Sequence, residues 1–336
     1  MNISQSISTR ILLIASLLLG AYQFFHPVHP IAEYLTAPQR VFLADNYWTF
    51  ADSIFRPQTL PWAESILLPL LAKVLGATSD LLAFQFLSVF LTLCITPVFC
   101  LMLQAHVKSA WGVALGLVVF IATFRFLPDH ILGSPDPLTI IFILLMAGSR
   151  QKALMFYTCF AGLSHFSLAA VAAIAMLPLH ALSQPKSESI YSQIKYIFAG
   201  LLLSKIVLIG WYWVFDYHLF SRWDFLVDKG LGHFWKLFID NPIAFLYTPG
   251  RVFGLISLLI MGYLLFKRHY AAVLGYCFAL VVTYSALFIT LDGLRIFAVV
   301  IVGAYFNFLV YWLNCLFKLH DQSDSVAVQE LKGVTR

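Results

Sequence analysis

Charge is scarce in this chain. Asp, Glu, Lys and Arg together make up 11% of its 336 residues, against 61% apolar. About a quarter of an ordinary soluble domain is charged, so that class is excluded. Paired cysteines are missing too. Cys94, Cys100, Cys159, Cys277 and Cys315 all lie inside apolar runs with no CxxC spacing, which reads as small buried hydrophobes far sooner than as disulfides or metal ligands. The period-2 alternation of an outer-membrane barrel is absent. So are a Walker loop, HExxH and GxSxG, which leaves soluble-type nucleotide and hydrolase chemistry without support. The net charge of +5 is modest and its Lys and Arg are scattered. It matches the cytoplasmic bias of membrane proteins, and no nucleic-acid partner is expected.

What the chain has instead is apolar length. Mean hydropathy is +0.85, and several runs approach or exceed the roughly 20 residues that cross a hydrocarbon core. The fold expected is an all-α polytopic membrane protein. Spans are read at Ile11–Phe25, Leu81–Leu103 (with Pro97 as a kink), Trp111–Phe124, Leu138–Ala147, Tyr196–Phe215, Val252–Phe266, Ala271–Thr290 and Ile296–Phe317. Ala153–Leu182 is long for one span, with Gly162, Ser164 and His165 at its middle, and reads as two short helices meeting there. MNISQSISTR before the first span mimics a signal peptide, but no A-x-A-like site follows, so the segment is kept as a helix. The total is about ten transmembrane helices, plus a re-entrant or interfacial half-helix at Ser65–Gly76, short and broken by Pro69.

Lys and Arg orient the chain. HVKSAW, SRQK, SQPKSESIYSQIK and FKRH go to the cytoplasm with the C-terminal tail. All of the sixteen acidic residues except Glu188, Asp321, Asp324 and Glu330 then fall on the opposite face. Residues 1–320 read as a single transmembrane domain with outer loops 26–64 and 216–250, and residues 321–336 as a polar cytoplasmic tail. No soluble domain is expected, nor are the inverted repeats of many transporters.

Four constellations carry candidate chemistry. Asp45 and Asp52 are seven residues apart in ADNYWTFAD, two helical turns, hence on one face. A carboxylate at a membrane surface serves as a general base or holds a cation that holds a phosphate. The plainer reading is solvation of an interfacial helix whose other face is Tyr47, Trp48 and Phe50. In DHILGSPDP, Asp129, His130 and Asp136 bracket a turn, and Asp136 before Pro137 also suits a helix N-cap. His165 in GLSHFSLAA needs a polar partner in an apolar bundle, whether structural or facing a wet cavity. In LDGLR, Asp292 and Arg295 either pair with each other or present an arginine fork to phosphate. Lys205 lies inside a span, where it snorkels or meets a carboxylate.

The layout resembles the GT-C class of integral membrane glycosyltransferases, which take sugars from polyprenyl-phosphate donors. The residues that carry the resemblance are ADNYWTFADSIFR followed by TLPWAESILLPLLAKVLG after a first span, GSPDPLTIIF at a later helix entrance, and LDGLRIF. The first loop has no contiguous DxD or ExD. The resemblance implies a sugar transferase with its site on the outer face. Asp45 would be general base with Asp52 second, and Arg295 and Arg56 would hold the lipid phosphate. Asp129, His130, Asp136, His165 and Asp292 would line the substrate site. No metal ligand set and no certain cofactor are implied, though a divalent cation is compatible. Expected partners are the polyprenyl-phosphate lipid, a sugar acceptor and membrane lipids, in a bacterial inner membrane. The alternatives are a secondary transporter or flippase, with His165 and Lys205 as its groups, and a polysaccharide polymerase or assembly subunit.

Overall fold

The computed structural model describes residues 3–25, 42–56, 59–60, 65–124, 133–183, 189–219, 235–236, 239–240, 252–287 and 293–333. Helix dominates it: α1 (Ile3–Phe25), α2 (Phe42–Asp52), α3 (Leu67–Val74), α4 (Leu81–His106), α5 (Ala110–Thr123), α6 (Asp136–Ala147), α7 (Gln151–Ser183), α8 (Ile190–Val214), α9 (Val252–Phe266), α10 (Tyr270–Leu287) and α11 (Gly293–Gly333). The β-structure among the described residues is a two-residue parallel pairing, β1 (Thr59–Leu60) with β2 (His218–Leu219).

Local chemistry sets the helix starts. The side chains of Asp80, Ser109 and Ser189 cap α4, α5 and α8, accepting from Ala83 N, Gly112 N and Ser192 N, and each satisfies an N–H that the helix itself leaves over. At the far end of α3, Gly76 takes φ +71, a left-handed turn open to glycine. With eight residues, α3 is about 12 Å long. That is too short to cross a core of roughly 30 Å, so the Ser65–Gly76 segment is a half-helix.

Five helices are long and apolar enough to cross a membrane by length and composition: α4, α7, α8, α10 and the Arg295–Phe317 part of α11. Shorter apolar helices accompany them at Thr9–Tyr22, Ala110–Thr123, Asp136–Ala147 and Val252–Phe266. The chain is thus a helical protein whose apolar helices suit a multi-pass membrane protein.

Side-chain contacts fix the helix directions. α1 runs antiparallel to α4, with Gln104 Nε2 donating to Thr9 O at 3.4 Å and Gly20 lying against Thr96. α5 opposes α11: Gly112 faces Phe317, Gly116 faces Leu313, and Thr123 Oγ1 meets Tyr305 Oη at 3.0 Å. α6 runs the same way as α4, since Gly133 N just before it donates to Ser88 Oγ at 2.8 Å and Gly148 just after it abuts His106.

α7 folds back on itself. Its backbone leaves the helical region at His165 (φ −161, ψ 95), an extended conformation open to any residue. The limb before it climbs beside α8, with Gly162 at Ser204 and Gly200 at Met155, and reaches the start of α6, where Ser164 Oγ meets Thr139 Oγ1 at 2.8 Å. The limb after it descends. Met176 and Ile143 both flank Gly303, and Ser183 Oγ donates to Asn307 Oδ1 at 3.2 Å. His180 comes within electrostatic reach of Arg150 and His106. In a straight helix those thirty positions would span about 45 Å. The two helices expected to meet near Ser164 and His165 are these limbs.

α11 is the hub. It packs against α5, α6, α7 and α10, and Phe297, Val300, Ala304, Phe306 and Phe308 on different sides of it are all fully buried. Stacked rings fill the space around it, Phe99 on Phe120 at 3.8 Å and Tyr276 on Phe308 at 4.0 Å between centroids. A second apolar cluster joins α2, α3 and the start of α4 to the end of α8 through Tyr47, Phe50, Ile54, Leu68, Phe84 and Leu208. Its residues on α2 follow a helical period, so the aromatic face expected to meet lipid is largely packed into protein: Tyr47 and Phe50 are buried.

Candidate site at the acidic end

The starts of α4, α6 and α11, the bend in α7 and the ends of α2 and α8 all lie at one end of the bundle. Asp52, Asp80, Asp136 and Asp216 belong to it, and Lys108, Arg150, Lys152, Lys267 and Arg268 lie at the other.

The acidic end is organised around Asp136. This residue opens α6, with Pro135 as N-cap and Pro137 next. A proline in the first turn costs no hydrogen bond. Ser134 Oγ accepts from Asp136 N at 3.2 Å and donates to Asp136 Oδ2 at 2.9 Å. The carboxylate is fully buried and forms an ion pair with Arg295 Nη1 at 3.1 Å. Asp136 is therefore the first residue of the helix and not its N-cap, and Arg295 pairs across the fold with α6.

Electrostatics explain the match. Asp136 sits at the positive end of the α6 dipole, a favourable place for an anion. Arg295, near the start of α11, meets the positive end of that helix with the wrong sign of charge. Asp136 offsets that, and at this burial the attraction is weakly screened. Nearby, Pro135 O accepts from Thr139 Oγ1 at 3.0 Å and from Ser164 Oγ at 3.3 Å. These bonds moor the α7 bend to the α6 entrance, and His165, itself buried, is the next residue along.

The other candidates separate from this core. Asp45 and Asp52 both lie in α2, two turns apart. Asp52 is exposed and turned to α3, where Lys73 Nζ reaches its backbone oxygen at 2.9 Å and Oδ1 at 3.1 Å. Arg56 is exposed just beyond α2. Tyr217 beyond α8 donates from Oη to Ile54 O at 2.5 Å, holding the end of α2 in place. Burial pushes the Tyr217 phenol above its ordinary range, against a smaller pull from Trp211. Asp129, His130 and Asp292 lie outside the described residues. The structure thus brings together Asp136, Arg295 and the α7 bend at His165, with Asp45 and Asp52 on a separate helix and Arg56 just beyond it.

Sequence reasoning missed the polar face of α4. Gln85, Ser88, Thr92 and Thr96 are all buried, at helical spacing within an otherwise apolar helix. That stripe was the available signal. It also missed Lys73 as the partner of Asp52. Among the described residues, no three His, Cys, Asp or Glu side chains come together as metal ligands would. Comparison of the chain with family models, curated proteins and solved structures finds no match.

Proposed function

We propose that this chain is an integral membrane glycosyltransferase of the GT-C type, moving a sugar from a polyprenyl-phosphate donor to an acceptor hydroxyl at the acidic end. In this reading that end faces outward from a bacterial inner membrane. The crossings are α1, α4, α5, α6, the two limbs of α7, α8, α9, α10 and α11, with α3 as the half-helix.

The observation that carries the reading is the Asp136–Arg295 pair, 3.1 Å apart and buried at the acidic end. A guanidinium held by a carboxylate at this end is suited to a lipid phosphate, because the planar guanidinium matches phosphate geometry better than a lysine point charge does. Asp45 takes the proton of the acceptor hydroxyl as its oxygen attacks the anomeric carbon. The bond to the donor phosphate breaks and polyprenyl phosphate leaves with the electron pair, its charge stabilised by Arg295 with Arg56 assisting.

The test is transfer from polyprenyl-phosphate hexoses by the protein in nanodiscs. Asp45→Asn is expected to abolish transfer with the melting temperature unchanged. An Asp45→Asn protein that still transfers removes Asp45 from the mechanism.

One observation favours transport as a second reading. The helix break at His165 lies beside a charge within a span, since Lys205 Nζ of α8 sits 4.5 Å from the centroid of the Phe166 ring. Broken helices and charged residues at membrane depth are features of transporters. Uptake into proteoliposomes that is lost in His165→Ala would favour it. The clustering of carboxylates at one end, away from the bundle middle, weighs for transfer.

A further inference from the structure

Gln85 lies in the first turns of α4 and is fully buried, yet neither its Nε2 nor its Oε1 has a hydrogen-bond partner among the described residues. Its neighbours Ser88 and Thr92 on that face are satisfied. Ser88 Oγ accepts from Gly133 N at 2.8 Å, and Thr92 Oγ1 donates to Ser88 O at 2.8 Å. A buried amide with nothing to bond is a net loss of stability, whereas leucine of similar size would be a gain. Buried polar groups in folded proteins are nearly always paired, so an unpaired one calls for an explanation.

Its position supplies one. Gln85 stands one turn from Ser88 on the same face, a separation of about 5–6 Å between Cβ atoms. Ser88 holds the Gly133 turn, which runs through Ser134 directly into Asp136. Gly133 takes φ +77, a left-handed geometry that favours glycine. The amide is therefore next to the turn that carries the buried ion pair, on the side of the acidic end.

We infer that Gln85 is a ligand-reading residue of this site and takes an uncharged group that donates and accepts hydrogen bonds at once, as the neighbouring hydroxyls of a sugar do. The identification as sugar rests on the transferase reading above. An amide offers two N–H donors and a carbonyl acceptor without charge. Gln85 carries no charge with which to meet an ion, so a neutral polyol is the group it suits. The phosphate of the donor goes to Arg295, and its sugar to Gln85.

The experiment is a thermal-shift titration of the intact protein in detergent with polyprenyl phosphate alone and with polyprenyl-phosphate-linked glucose, mannose and galactose. Wild type, Gln85→Leu and Gln85→Met are compared, the second variant guarding against a misfit of the first. The expected result is a higher melting temperature for the unliganded variants and an unchanged response to the bare lipid phosphate. Half-saturation by the preferred sugar-bearing lipid shifts about tenfold upward, the loss of one or two hydrogen bonds in a dry site. Variants that respond to the sugar-bearing lipid as wild type does overturn the role of Gln85 and leave the transferase reading standing. A wild type that answers to none of these lipids overturns both.

Discussion

Arg295 and Asp136 come from opposite halves of the chain and meet at 3.1 Å with the carboxylate fully enclosed. Breaking such a pair from one side strands a charge. Asp136→Leu or Arg295→Met alone is expected to lower stability by about 3–5 kcal/mol. The double variant Asp136→Leu with Arg295→Met should recover most of that loss while losing any phosphate response. Thermal or denaturant unfolding in detergent, run as a double-mutant cycle, measures the coupling. Additive losses would show that the pair contributes nothing as a pair.

The contact between Asp52 and Lys73 is of another kind, because both side chains reach solvent, at 61% and 33% exposure respectively. Asp52→Asn is expected to change stability by less than about 1 kcal/mol, with an effect that fades in salt. Unfolding at low and high ionic strength checks this. A larger loss of transfer activity than of stability would separate chemistry from folding at this residue.

The α7–α8 seam depends on glycine for close approach. A methyl group on Gly200 would stand 2.5 Å from Met155 O, and one on Gly162 would meet the Ser204 side chain, with its Cβ 2.8 Å away. Overpacking of this sort costs about 1–3 kcal/mol. Gly162→Ala should be rescued by Ser204→Gly, because the obstacle is a side chain. Gly200→Ala should resist rescue by Thr158→Ala, because the nearest obstacle is backbone. Melting temperatures of the singles and doubles decide between these outcomes.

Tyr217 gives the acidic end an alkaline limit. Burial raises its phenol pKa, so the folded state favours the protonated form. The stability this contributes is fully present below the unfolded value of about 10 and is lost as pH rises through the higher folded value. Unfolding curves from pH 8 upward should steepen above about pH 10, and Tyr217→Phe should flatten them. The same variant loses the bond to Ile54 O, worth about 0.5–1.5 kcal/mol at neutral pH.

Much of this architecture is visible in the bare sequence because apolar runs and their punctuation are local signals. Val252–Phe266 is a helix with the boundaries the hydropathy suggests. The Gly162–His165 interruption marks the break in α7, and Pro69 with short length marks the half-helix. What joins these pieces is non-local. Nothing near Arg295 in the chain points to Asp136, and Asp292, three residues away, is the partner that spacing favours. Gln85 is legible only as one member of the polar stripe on α4, because a neutral amide in a long apolar run barely lowers its hydropathy. Its significance is energetic and emerges only once its burial and its unmet hydrogen bonds are known.

The placement of α11 bears on how the protein is made. In the part of it that is long and apolar enough to cross, 89% of the window is buried inside the protein, and every other helix described precedes it in the chain. If the chain is inserted in a membrane helix by helix, the earlier helices would leave a groove lined by α5, α6, α7 and α10 for lipid tails to fill until α11 arrives. Lipid is as apolar as the residues it covers, so this intermediate suffers no hydrophobic penalty. Until then Asp136 would lack its arginine. In that order of events the docking of α11 would bring Arg295 to a buried carboxylate and close the bundle at once.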